Sequence, residues 1–82
     1  MKVYFIQNFT RELTIIFIDK DKKIKEISLK SVISLDTVID KVNKIIGDET
    51  LITEVVLKGK TSILRAIELY YTKLEGVNVK WL

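Results

Sequence analysis

Val55-Val56-Leu57-Lys58-Gly59-Lys60-Thr61-Ser62 runs from an apolar strand through Gly-Lys-Thr toward a helix, and the fold turns on whether this passage is a phosphate-binding loop. A nucleotide-binding loop of the G-x-x-x-x-G-K-[ST] kind needs a long glycine-permitted stretch, because its backbone N–H groups must wrap the phosphates before the lysine. Ending that pattern at Gly59-Lys60-Thr61 puts its first glycine at Glu54. Glu54 is a carboxylate inside an expected strand, and Val55-Val56-Leu57 cannot cradle an anion. The stretch therefore reads as a strand, a tight turn at Gly59, and a helix capped by Thr61 or Ser62. A weaker attraction remains: a helix N-terminus draws anions, and Lys58 and Lys60 flank this one, so a nucleic-acid phosphate can dock there.

Outward from this turn the periodicity sets the other elements. Downstream, Ile63, Ala66, Ile67, Tyr70 and Leu74 share one face of a helix expected from Ser62 to Glu75, ended by Gly76. Val77 to Leu82 alternate as a strand. A strand-helix-strand unit crosses over right-handedly and makes parallel strands. Upstream, Leu35, Val38, Ile39, Val42, Ile45 and Ile46 recur at helical spacing behind Ser34 as N-cap and before Gly47 as a left-handed stop. Thr50 to Lys58 is a largely buried strand. Val3 to Ile6 and Leu13 to Ile18 form a hairpin, with the second strand apolar on both faces after Thr14 as in a sheet interior. Asp19 to Lys23 is a charged turn, and Ile24 to Leu29, broken by Lys25, Glu26 and Ser28, is an edge strand. The expected architecture is a single α/β domain over residues 1–82, β-β-β-α-β-α-β, with a mixed five-stranded sheet and two helices.

Composition narrows the chemistry. The 82 residues are 48% hydrophobic, enough for one domain burying roughly 60 to 65% of its unfolded surface. Cysteine and histidine are missing, which removes disulfides, thiol chemistry, the usual zinc sites and the ordinary general base near neutral pH. Only oxygen ligands remain for a metal. Asp36 and Asp40 stand one helical turn apart, but no third acid is placed near them, and Asp19 and Asp21 read as turn formers. No metal and no cofactor is expected. The apolar run at Met1 to Gln7 is too short for a signal peptide or membrane span, so a soluble cytoplasmic protein is expected. The abundance of isoleucine and lysine, with Gln7 the sole glutamine, is compatible with a thermophilic source.

The order of three antiparallel strands, helix, strand, helix, strand resembles the core of the ribonuclease H-like fold. Tyr4 to Leu29 looks like its opening meander, Thr53 to Gly59 like its fourth strand and Gly76 to Trp81 like its fifth. The resemblance implies an aspartate in the first strand and another at the end of the fourth, holding magnesium in members that cleave nucleic acid. The matching neighbourhoods here, Phe5-Ile6-Gln7-Asn8 and Leu57-Lys58-Gly59-Lys60, contain no acid. The resemblance thus implies a shortened and catalytically silent version.

Two functions follow as expectations. The first is a non-enzymatic, self-associating interaction module: with both helices on one face of the sheet, the other face exposes parts of Phe5, Ile16, Ile18 and Val56, and Tyr71, Trp81 and Leu82 are candidate interface residues. The second is nucleic-acid binding through Lys58, Lys60 and Arg65, with Lys20, Lys22 and Lys23 of the hairpin turn. A net charge of +3 with 30% charged residues is mild for a dedicated nucleic-acid binder.

Overall fold

The computed structural model describes residues 1–7, 11–30 and 33–82. The connection between the first two expected strands, Asn8 included, lies partly outside them. Strands β1 (Lys2–Gln7), β2 (Leu13–Asp19) and β3 (Lys22–Leu29) lead into helix α1 (Leu35–Ile46), strand β4 (Glu54–Lys58), helix α2 (Ser62–Thr72) and strand β5 (Asn78–Trp81). The sheet order is β3-β2-β1-β4-β5. β2 is antiparallel to β1 and β3, while β4 runs parallel to β1 and β5.

The expected helix and strand assignments hold, with the largest shifts at three boundaries. Thr50 does not begin a strand: Glu49–Leu51 form a single 3-10 turn capped by Asp48, whose carboxylate accepts from Thr50 N–H at 2.9 Å. That double interaction with Thr50 holds the Asp48 carboxyl below its ordinary range. α2 stops at Thr72 rather than Glu75, because the Lys73 N–H turns onto the Tyr70 and Tyr71 carbonyls and tightens the last turn. The hairpin turn is shorter than the charged stretch suggested. Asp19 pairs with Lys22, leaving Lys20 and Asp21 as a two-residue loop with φ of 52° and 64°. Positive φ at both positions is the signature of the turn whose twist matches that of the flanking strands.

α1 begins as the sequence indicates: the Ser34 hydroxyl accepts from Thr37 N–H at 3.2 Å, and Gly47 takes a φ of 80° at the other end. Its buried side chains, Val38 and Val42, join Leu64, Ile67 and Tyr71 of α2 in one core with Val3, Phe5, Leu13, Ile15, Phe17, Val55 and Leu57 of the sheet. Both helices therefore lie on the same face. Successive strand residues point to opposite faces, so Tyr4, Ile6, Ile16, Ile18 and Val56 belong to the face without helices.

Three expectations about exposure are corrected. Phe5 is fully buried under the helices, its ring 5.8 Å from that of Tyr71. Val56 does lie on the open face but is only 1% exposed. Its sheet neighbours there are Tyr4 and Lys80, whose long side chains flank a short one. Tyr71, a candidate interface residue, is also fully buried. It meets Tyr70 edge-on at 5.0 Å, so of the tyrosine pair it is Tyr71 that enters the core. Tyr70 stays at the margin and donates its hydroxyl to Glu49 at 2.8 Å. Among the described residues no helix is long and apolar enough to cross a membrane.

The Tyr71 hydroxyl has no hydrogen-bond partner among the described residues, and burial pushes its pKa well above the ordinary phenol value. An unpaired buried hydroxyl costs folding free energy that a phenyl ring avoids. Tyr71→Phe is expected to raise stability by about 1 kcal/mol, read as a higher urea midpoint with unchanged slope. A destabilised variant would mean that the hydroxyl is satisfied in solution.

Candidate functional site

The turn from β4 into α2 is built around Gly59. Its φ is 136°, and a Cβ there would overlap the Gln7 backbone carbonyl oxygen and the Leu64 Cδ1. Glycine is required because the chain passes hard against the end of β1, not because it wraps a ligand. Thr61 is the N-cap residue, yet its side chain does not cap the helix. The Thr61 hydroxyl donates instead to the Gln7 side-chain carbonyl, tying this turn to the neighbouring strand. No acid occupies the first turn of α2. The helix end therefore keeps its partial positive charge uncompensated by its own side chains.

Beside it lies an open depression of about 470 Å³ lined by Gly59, Lys60, Thr61, Ser62, Arg65 and Trp81. The Arg65 guanidinium lies 5.2 Å from the centre of the Trp81 ring and 3.5 Å from Glu68. The Trp81 Nε1–H donates to the other Glu68 oxygen at 2.6 Å. Glu68 thereby orients both the cation and the indole, while offsetting part of the arginine charge.

Of the basic residues singled out in the sequence, the structure brings Lys60 and Arg65 to this depression. Lys58 does not line it: it pairs with Ile6 in the sheet and projects toward the open face. Lys20, Lys22 and Lys23 are far from it. β1 and β4 are parallel and β2 is antiparallel to them, so the β2–β3 turn sits at the end of the sheet beside Lys2, opposite the end that leads into α2. The six residues do not form one surface.

The open face of the sheet is the second site. Register places Glu26, Ile16, Tyr4, Val56 and Lys80 in one row across all five strands. Ile6 and Thr14 lie in the row on one side, Lys2, Ile18 and Glu54 in the row on the other. Tyr4, Ile6, Ile16 and Ile18 are half-buried, and among the described residues no helix or strand lies over them. Glu54 accepts from Lys80 at 2.9 Å and from Lys2 at 3.3 Å. The hydrogen bond from Lys80, reinforced by Lys2, holds the Glu54 carboxyl below its ordinary range against the opposing effect of burial. The same contact with Glu54 raises the Lys2 pKa. At β3, a bulge after Phe17 makes Ile24 an extra residue and returns Lys23 to the face of Glu26, which it meets at 3.1 Å.

Of the candidate interface residues, Trp81 points to the helix side and Leu82, 71% exposed, follows it on the open side. Sequence reasoning passed over Tyr4 and Ile6, whose alternation with Val3 and Phe5 was the available signal, and the triad of Lys2, Glu54 and Lys80, which needs the strand register to be seen.

The ends of β1 and β4 are adjacent, with Ile6 opposite Lys58. The polar contact there is the neutral one between Gln7 and Thr61. Among the described residues no group of three or more acids converges. Asp40 is engaged with Lys44 at 3.2 Å along the outer face of α1. No family model, curated protein or solved structure matches the chain.

Two outcomes follow from this geometry. Gly59→Ala is expected to destabilise the protein by at least about 2 kcal/mol, since left-handed strain and a backbone overlap add; a loss under 0.5 kcal/mol by chemical denaturation would show that the turn relaxes freely. Glu54→Gln is expected to cost about 0.5 to 1 kcal/mol at pH 7. Because the folded-state pKa of Glu54 lies below the unfolded one, its contribution is present above the ordinary carboxylate range and lost as pH falls through the folded value. The deficit of the variant should therefore shrink on acidification, and parallel pH-stability curves would refute the assignment.

Proposed function

We infer that this chain is a non-catalytic interaction module that pairs with a second copy of itself through its open sheet face. The carrying observation is that both helices cover one side of the sheet, leaving Tyr4, Ile6, Ile16 and Ile18 half-buried on the other. Apolar side chains in a contiguous stretch on an otherwise charged surface favour a partner that removes them from water. The reading also draws on the resemblance to the ribonuclease H-like fold, which rests on element order: the neighbourhoods matching the family's acidic positions, Phe5-Ile6-Gln7-Asn8 and Leu57-Lys58-Gly59-Lys60, contain no acid. Light scattering across about 10 to 500 µM is expected to show the mass rising from one copy toward two, as a small interface with micromolar affinity requires. A single-copy mass throughout would end this reading.

A second reading is favoured by the depression at α2. An uncompensated helix N-terminus, Lys60, Arg65 and the Trp81 indole bring anion-binding and base-stacking groups to one place, the combination that single-stranded nucleic acid uses. In a mobility-shift titration at two salt concentrations, binding should weaken steeply with salt, and Lys60→Ala should reduce the log–log salt slope by about 0.7 for a single strand. Absence of any shift at low salt would remove it.

A further inference from the structure

The central row of the open face reads Glu26, Ile16, Tyr4, Val56, Lys80 from one sheet edge to the other. It carries an acid at one end, a base at the other and apolar residues between, with an aromatic ring at the midpoint. This sequence of charges is self-complementary in only one of the two face-to-face arrangements that a two-fold axis in the sheet plane allows. An axis perpendicular to the strands would set β3 on β3 of the second copy, confronting Glu26 with Glu26 and Lys80 with Lys80. An axis parallel to the strands through Tyr4 sets β3 on β5, so that Glu26 of each copy meets Lys80 of the other, Ile16 meets Val56, and the two Tyr4 rings meet at the centre.

Resting on the self-association reading above, we propose that two copies stack their open faces about an axis parallel to the strands, with the register fixed by two reciprocal Glu26–Lys80 contacts. Sheets that pack face to face keep their strands aligned within about 30°, which this axis satisfies. Ile6 falls near the axis and meets its own copy. Lys2 falls equally near the axis at the other end of β1, where each Lys2 is held by Glu54 at 3.3 Å, so its charge is offset within its own copy. Both register residues are accessible: Glu26 and Lys80 have side-chain exposures of 44% and 51%. Each already has a partner in its own copy, Lys23 for Glu26 and Glu54 for Lys80, and the exposure of both leaves room for a second, intermolecular contact.

The area limits the affinity. Five strands about 4.8 Å apart and three rows about 6.7 Å apart give a footprint of roughly 500 Å², below the roughly 800 Å² per partner of a standard stable complex. The pair is therefore a micromolar dimer whose orientation depends on charge.

The test is complementation between two charge-reversed chains. Sedimentation equilibrium at low salt is run on the wild type, on Glu26→Lys, on Lys80→Glu, and on an equimolar mixture of the two variants, with circular dichroism checking the fold of each. Each variant alone puts like charges at both contacts and should dimerise about tenfold more weakly than wild type, whereas the mixture puts opposite charges at both and should recover to within about threefold. Intramolecular effects of either substitution cannot produce that recovery. Wild-type dimers with no recovery on mixing overturn the register while leaving self-association standing. A wild type that stays a single copy overturns the underlying reading and the register with it. Should either reversal unfold the chain, Glu26→Gln and Lys80→Gln serve in its place: both must weaken the wild-type dimer, and unchanged dimerisation in either overturns the proposal.

Discussion

One constraint organises this molecule: a crossover between parallel strands is right-handed, and here it is applied twice in the same direction. β3 and β4 are parallel, as are β4 and β5, and each connection moves toward the same edge of the sheet. A right-handed path then carries both helices over the same face. The single core follows, since Val38 and Val42 of α1 and Leu64, Ile67 and Tyr71 of α2 reach it from one side. The open face follows as well. Among the described residues no third helix covers it, which leaves Tyr4, Ile6, Ile16 and Ile18 on that side.

Much of this was legible in the residues themselves. Helical spacing from Leu35 to Ile46, bounded by Ser34 and Gly47, located α1 to the residue, and the run from Val55 to Leu57 before Gly59 marked β4 and its tight turn. What escaped was relational. Phe5 and Ile16 are both apolar strand residues, and nothing local says that one lies under α2 and the other does not. Tyr70 and Tyr71 are adjacent, and only the contact with Phe5 decides which is buried. The stretch from Asp19 to Lys23 has the composition of a turn throughout, while cross-strand pairing of Asp19 with Lys22 shortens the loop to two residues. The basic residues were grouped by charge, but strand direction puts Lys20, Lys22 and Lys23 at the far end of the sheet from Lys60.

The Gly59 turn shows how one local geometry serves packing and leaves a chemical possibility beside it. Pressing the chain against Gln7 excludes every side chain at position 59 and engages the Thr61 hydroxyl, which would otherwise cap α2. The helix end is consequently left to Lys60, Arg65 and solvent. Glu68 moderates this by holding Arg65 and the Trp81 indole together, so the aromatic surface and the cation keep a fixed relation to the helix end.

The bulge at Ile24 reaches beyond its own strand. A sheet recruits strands without limit only if both of its borders can pair, since each newcomer must offer a fresh border to the next. The β3 border is kinked by an inserted residue and lined with Lys22, Lys23 and Lys25, whereas the β5 border is regular. A molecule with one competent side can terminate a growing stack of strands but cannot relay it, and a kinked, lysine-lined border of this kind works against fibril growth.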